Sequence, residues 1–436
     1  MEQFDTIIIG SGPAGGEVAR GLAAAGRQVA VAEAHLWGGT CPNVGCDPTK
    51  IMMSAVETKV HAKAMQEAGI SGSLEIDWAT LQKRKRAYTD GISSGTKTSL
   101  ETNHVTTLVG EAAFNSDGTL LIGEKTYQAD SYVIATGQRP RLPGLVGESY
   151  LLTSDDFLSL EQLPKKLVFL GGGPVSLELA QIAQASGSEV TLVIHGKRKI
   201  NGFDEELAEA FLEQLEKQGI RIITNRDVTE IQKTKSGYLL KADNDWILET
   251  GAVFAGVGRT PNVESLNLSA VGVKTSKQGI IVDGFLKTTT PTIYAVGDVI
   301  AKNVGKLTPV AGFEARYLVD VLTGKAKETI RYPLIPSVIY GATKMAQVGR
   351  LESSHVQSFD MTSWYSYRRL AEPKALAKIA FNEKEEMVGA SIVSSLADEM
   401  INFLTPLIAK KITKEEVKKQ ILAYPTPASD LVYLYD

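Results

Sequence analysis

The stretch TIIIGSGPAGG, Thr6 to Gly16, decides the fold. A short apolar run breaks into Gly10, Gly12 and Gly15, the G-x-G-x-x-G spacing, and opens a helical stretch, Ala14 to Ala25, that stops at Gly26. Gln28 to Ala32 then reads as a second strand, completing a βαβ unit. Glycines at these positions allow the tight turn and let the backbone approach a pyrophosphate at the helix N-terminus. Glu33 follows Gly10 by 23 residues, where a carboxylate accepts hydrogen bonds from an unphosphorylated ribose. The alternative, a tight turn without a ligand, asks for the glycines but not for strand, helix and acid in register.

Downstream the pattern recurs: Lys166 to Leu170 is strand-like, GGGPVS is the turn, Leu177 to Ala185 is helical and Glu189 to Ile194 is the next strand. Gly171, Gly173 and Ser176 hold the three turn positions, the serine being small enough for close helix packing. The same 23-residue step from Gly171 lands on Ile194, not on an acid, and His195, Gly196, Lys197, Arg198 and Lys199 follow. A site that lacks the ribose carboxylate and gains cations suits a 2′-phosphate, so NADPH is expected here. A solvated basic loop with NADH bound is the alternative.

The whole chain, 436 residues, allows about three domains. Lys and Arg, 46, against Asp and Glu, 50, leave a net charge of -4, which offers no footprint for nucleic acid. No apolar run approaches the roughly 18 residues of a membrane helix, so no membrane association is expected. The opening MEQFDTIIIG is not a charged segment followed by a long apolar one, and a cytoplasmic protein is expected. Two cysteines, Cys41 and Cys46, exclude a disulfide-stapled secreted framework.

Thr58 to Thr98 reads as one or two helices, Val105 to Val133 as short strands, and the chain after the second unit as β-rich to about Gly258. From about Arg331, strands (Ser337 to Ile339, Ala377 to Phe381, Met387 to Val393) alternate with helices (Ala397 to Lys410, Lys414 to Ala423). The expected fold class is α/β: two tandem Rossmann-like nucleotide-binding domains, 1–145 and 146–265, a stretch 266–330 that completes the first, and a C-terminal α+β block, 331–436.

Cys41 and Cys46 flank Pro42-Asn43-Val44-Gly45 and follow Gly38-Gly39-Thr40. A disulfide across this step could form at a distorted helix start, where amide dipoles favour the thiolate. Two inert buried cysteines are the alternative. The segment GGTCPNVGCDPTK resembles the class I flavoprotein disulfide reductases, the group of glutathione reductase, dihydrolipoamide dehydrogenase and mercuric reductase. VIATGQRP (133–140), VGRTPN (257–262), YAVGDV (294–299), LTPVA (307–311) and IPSVIY (335–340) follow in that family's order, so the resemblance spans the whole chain.

The resemblance implies FAD in the first site and the nicotinamide cofactor in the second, with Thr40, Thr136, Gly137 and Gly258 among the cofactor-binding residues. It implies that Asp298 contacts the flavin's ribityl chain, that Ala311 lies beside the isoalloxazine ring, and that Lys50 pairs with Glu178 near the flavin N5. Cys46 would stack on the flavin and Cys41 would be the outer sulfur that meets substrate. The C-terminal block would be a dimerisation domain of a homodimer, and no resident metal is implied.

The pattern fails at the C-terminus. Where glutathione-type reductases carry a histidine, this chain has Tyr424; Ser429 holds the carboxylate position, Asp430 comes one residue late, and His35, His61, His104, His195 and His355 all lie elsewhere. A departing thiol, with a pKa of about 8.5, benefits from an acid tuned near neutrality, and a tyrosine at about 10 is a poorer match. Oxidants with a weakly basic leaving group need no such acid. The motifs resemble most the mercuric-reductase-like branch that includes hypothiocyanous acid reductases and reactive-chlorine-resistance flavoproteins. The expected function is therefore reduction of a small reactive oxidant such as hypothiocyanous acid, in antioxidant defence. The rivals are a low-molecular-weight disulfide reductase or a mercuric or copper ion reductase in which Tyr424 supplies the proton, and a flavin-dithiol redox sensor without turnover. Thr343-Lys344 stands where relatives often have Pro-Glu, a departure with no explanation in the sequence.

Overall fold

The computed structural model describes residues 2–435 except Arg198, Asn244 and Ser354. Two compact units emerge, each assembled from segments far apart in sequence: 1–48, 85–141 and 259–332 in the first, and 49–84, 142–258 and 333–436 in the second.

In the first unit, strand Glu2–Ile9 lies between Val29–Glu33 and Lys125–Ile134 and runs parallel to both, with Ile7 opposite Ala30 and Tyr132. Thr106–Val109 extends the sheet on one side; Leu120–Ile122 and Ala112–Phe114 extend it on the other as an antiparallel meander. Ile7 and Ile8 are both fully buried, as a central parallel strand covered on each face requires. The helix Pro13–Ala24 has proline in its first turn, where the missing N–H costs nothing, and packs Val18, Ala19 and Leu22 into the core. Ile293–Ala295 adds a strand beside Lys125–Ile134, which draws the distant 259–332 segment into this unit.

In the second unit, Arg221–Thr224, Glu189–Ile194, Lys166–Leu170 and Ala252–Ala255 form a parallel sheet in that order. The helix Pro174–Ala185 begins three residues before the expected Leu177. The stretch expected to be β-rich contains a helix, Glu205–Lys217. Leu207, Ala208, Phe211, Leu212 and Leu215 are buried at helical spacing, and the Asp204 carboxylate caps the start by accepting the Leu207 N–H at 3.0 Å. That 3.6-residue period outweighs the β-branched flanks.

The 333–436 segment carries an antiparallel sheet, ordered Ser337–Ile339, Lys344–Gly349, Met387–Ser394, Leu376–Phe381 and His355–Asp360, with helix Ala397–Ala409 in its core. Strands Lys344–Gly349 and His355–Asp360 are additions to the expected pattern. The helix expected over Lys414–Ala423 stops at Lys418, after one capping-box turn in which Thr413 and Glu416 exchange hydrogen bonds. Likewise Thr58–Thr98 draws on three α-helices, Cys46–Ala64, Trp78–Thr89 and Ile92–Thr102, and a short 3-10 turn, Gln66–Ala68, where one or two helices were expected. Among the described residues no helix is long and apolar enough to cross a membrane.

Candidate active site

The first glycine turn is sterically committed. Gly10 sits at φ +101°, and a Cβ there would lie 2.5 Å from the Ala135 carbonyl oxygen; a Cβ on Gly15 would strike the Gly10 carbonyl. Gly12 is the N-cap of the Pro13–Ala24 helix and offers no side-chain cap, whereas Thr153 and Asp204 cap helices elsewhere in the chain. An uncapped N-terminus behind a cradle of glycines is the arrangement that accepts a phosphate. Glu33 braces this turn: one carboxylate oxygen accepts the Ser11 N–H at 2.9 Å and the Ser11 hydroxyl at 2.7 Å, and the other accepts the N–H groups of Ala34 and His35 at 3.0 Å.

The cysteine segment lies on that turn. Ser11 Oγ accepts the Gly38 N–H at 3.0 Å, and a Cβ on Gly39 would sit 2.7 Å from the Gly12 Cα. Asn43, buried, donates to the Trp37 and Gly39 carbonyls at 3.0 and 2.8 Å and locks the loop. Thr40–Val44 is a single helical turn carrying Cys41. Gly45 then folds so tightly that a Cβ would come within 2.9 Å of the Thr40 carbonyl oxygen, and Cys46 opens the long helix. The five-residue step thus brings the two sulfurs together.

Both cysteines are thiols; Cys41 is half-buried and Cys46 exposed. The Cys46 Sγ lies 3.6 Å from the hydroxyl of Thr308, the first residue of helix Thr308–Leu322, in which Ala311 is buried one turn on. The Cys41 thiol is pushed well above the ordinary thiol range, first by its hydrogen bond to Cys46 and then by burial, with the Thr308 hydroxyl pulling the other way. Thr308, inside the LTPVA signature, touches Cys46, a contact that the sequence reading did not single out.

Asp298 stands in the Gly297–Val299 turn with its Oδ1 buried and without a hydrogen-bond partner. The turn itself is fixed by Glu314, fully buried, which accepts the Gly297 N–H at 2.9 Å, Lys302 at 2.7 Å and the Tyr332 hydroxyl at 2.7 Å. Two signature stretches, distant in sequence, clasp each other. Gln138–Pro140 pairs antiparallel with Arg259–Pro261, Thr136 Oγ1 donates to the Asn262 carbonyl at 2.6 Å, and Arg139 forks onto Glu264 at 2.9 and 2.7 Å. Gly137 turns that corner at φ +65°.

In the second unit, Gly171 adopts φ +107° and Gly173 is the uncapped N-cap of the Pro174–Ala185 helix, repeating the first turn. Ser176 is fully buried in that helix, its Oγ without a hydrogen-bond partner. At the end of the next strand, His195 Nδ1 lies 3.2 Å from Asp227 Oδ1, both well exposed, and Lys197 is exposed. Arg198 lies outside the described residues. Asp227 and the neighbouring Arg226 went unnoticed in the sequence, because they approach the basic run only through the Arg221–Thr224 strand. Gly258 takes φ +113°.

Lys50 and Glu178 meet at 2.6 Å. The other Glu178 oxygen accepts the Tyr340 N–H at 3.1 Å, and the Lys50 ammonium stands 4.5 Å from the centre of the Tyr340 ring. Tyr424 is 72% exposed and stacks on Tyr365 with ring centres 6.1 Å apart. Lys344, the unexplained departure, is buried between Glu57 and Asp398, 3.3 Å from each, and donates to the Ser395 carbonyl at 2.8 Å. Two carboxylates thus balance the cation there.

The family model for pyridine nucleotide-disulphide oxidoreductases matches residues 4–315, and the model for that family's dimerisation domain matches residues 335–434. The chain belongs to the pyridine nucleotide-disulphide oxidoreductase family. It is 30% identical to glutathione reductase from Burkholderia cepacia, covering 99% of this chain and 98% of that protein. It is 31% identical to mercuric reductase from Staphylococcus aureus, over 98% of this chain and 81% of that one. Dihydrolipoyl dehydrogenase from Geobacillus stearothermophilus is 29% identical over 97% and 94%. The fold superimposes with a TM-score of 0.89 on the HOCl-induced flavoprotein disulfide reductase RclA from Escherichia coli, at 24% identity and 99% coverage of both chains. The same score relates it to a copper(II) complex of a cysteine-to-serine variant of RclA.

As a member of this oxidoreductase family the chain works with FAD and a pyridine nucleotide, and the first unit fits the flavin cofactor. The glycine cradle, the uncapped helix and the unpartnered Asp298 oxygen provide, in turn, room, a positive dipole and an unspent acceptor. The two glycine turns of this chain share their spacing and differ at the end of the following strand, with Glu33 in one and the His195–Asp227 pair in the other.

Proposed function

We propose that the protein is a homodimeric, cytoplasmic NADPH-dependent reductase that uses Cys41 and Cys46 to reduce a small reactive oxidant, hypothiocyanous acid being the favoured member. The observation that carries the reading is the pair of thiols that the tight Gly45 turn sets side by side, with the Cys46 Sγ 3.6 Å from the Thr308 hydroxyl. FAD, when bound, supplies two-electron transfer between the nicotinamide hydride donor and the disulfide. Gly10, Gly12, Gly15 and Asp298 would hold it.

Reduction of hypothiocyanous acid consumes one proton. The pair's proton passes to Cys46, the Cys41 thiolate bonds to the oxidant's sulfur, the S–O bond breaks, and the departing hydroxide takes the proton from Cys46 and leaves as water. Cys46, as thiolate, then attacks the Cys41 sulfur and expels thiocyanate, closing the disulfide. The dithiol loses two electrons, the oxidant gains them, and no external acid is needed. Thiol-disulfide exchange instead asks for a proton on each departing thiol, and Tyr424 is poorly matched to give it. Induction of the Escherichia coli neighbour by HOCl supports a role in oxidant defence.

Purified protein should be reduced anaerobically with NADPH or NADH, then offered hypothiocyanous acid, glutathione disulfide, mercuric ion or copper(II). Fast reoxidation by hypothiocyanous acid with slow turnover of glutathione disulfide is expected. The opposite order, or turnover by the metal ions alone, would overturn the reading, and no turnover by any oxidant would favour the sensor.

A further inference from the structure

Next to the exposed Cys46 stands a carboxylate that the reaction above does not use. Asp47 occupies the first turn of the Cys46–Ala64 helix, and the hydroxyl of Tyr88, on the Trp78–Thr89 helix, donates to its Oδ2 at 2.8 Å. Both lie in the first unit, Tyr88 is 47% exposed, and both groups act electrostatically on Cys41. A helix start favours an acid, but a capping role does not need a phenol from another helix to hold it. Asp47 also raises the Cys41 thiol, and accepting the phenol's proton raises Tyr88, so the pair is no proton donor for a leaving thiol.

The geometry points to Asp47 as a specificity-determining residue of the redox centre, a fixed negative charge oriented by Tyr88 that admits neutral or cationic oxidants and disfavours anionic ones. This inference rests on the proposed dithiol chemistry and adds a selection rule to it. Neutral hypothiocyanous acid and soft metal cations pass; peptide disulfides rich in carboxylates meet repulsion in addition to the missing acid. Lys83, Arg84, Lys85 and Arg86 precede Tyr88 on its helix and set an opposing cationic background, which is the same in the native protein and in every Asp47 variant, so the comparison between them isolates the Asp47 charge. A unit charge a few ångströms away in a partly wet site changes relative rates by about three- to tenfold.

The test compares alkylation of the dithiol by neutral iodoacetamide and by anionic iodoacetate, each normalised to its rate with free cysteine. Reduction with dithiothreitol makes it independent of either cofactor, so a failure of the flavin reading and a failure of this one separate. Expected results are an iodoacetamide preference in the native protein, a preference about three- to tenfold smaller in Asp47→Asn, its retention in Asp47→Glu, and a partial loss in Tyr88→Phe. A general loss of structure would slow or speed both reagents together. An unchanged ratio in Asp47→Asn overturns the proposal. Should that variant fail to fold, the native preference must shrink as ionic strength rises, and a preference that grows with salt overturns it equally.

Discussion

Ser176 fills the space that Gly256 leaves: a Cβ built on Gly256 would run into the Ser176 hydroxyl. In the first nucleotide turn the helix position is Gly15, where a Cβ would strike the Gly10 carbonyl oxygen and also lie 3.2 Å from the Ala135 Cβ. The serine that breaks the glycine spacing is thus accommodated by a glycine on the strand end it packs against.

This exchange predicts a strong coupling. Gly256→Ala alone should destabilise by about 1–3 kcal/mol through overpacking, and Ser176→Gly in the same chain should restore most of it. Denaturant titration of the two singles and the double checks this; additive effects would sink the account.

Lys50→Met leaves the 8% exposed Glu178 carboxylate without its cation, which should cost about 2–3 kcal/mol, since Lys50 is itself 35% exposed. Glu178→Gln keeps an acceptor for the Tyr340 N–H and should cost about 1 kcal/mol. Thermal and chemical unfolding would show the asymmetry, and equal losses would argue that the pair is a wet surface bridge.

Cys41→Ser should lower oxidant turnover by at least about a thousandfold while leaving flavin reduction by pyridine nucleotide intact. In Cys46→Ser the main influence raising the Cys41 thiol is gone, so its ionisation should fall back toward the ordinary thiol range. The pH profile of iodoacetamide alkylation reads this directly; a profile as high as the native one would show that burial dominates.

The Arg139–Glu264 clasp makes a pH prediction. Arg139 holds the Glu264 carboxyl down to about 2 from 4.5, so the folded state binds its proton less readily than the unfolded chain. Its contribution is complete above the unfolded value and is lost as pH falls from 4.5 toward 2. Both side chains are about half exposed, which limits the gain to about 1 kcal/mol or less. Glu264→Gln should therefore trail the native protein at pH 7 and match it near pH 2, and a gap that persists in acid would contradict the mechanism.

Local residue order was enough for the two nucleotide turns, the cysteine pair and the strands Lys166–Leu170 and Glu189–Ile194, because glycine at positive φ, apolar strand runs and short-range spacing are properties of a few adjacent residues. The Glu205–Lys217 helix was legible too, through its buried stripe and Asp204 cap, but was submerged among β-rich neighbours. Other features had no local signal. The clasp of Thr136 with Asn262, the brace of Glu314 on the Asp298 turn, the two carboxylates around Lys344, the contact of Thr308 with Cys46 and the hold of Tyr88 on Asp47 all join residues whose separation along the chain carries no periodicity. Which cation balances which carboxylate, and which groups raise the Cys41 thiol, depends on distances and burial that exist only once the chain has closed on itself.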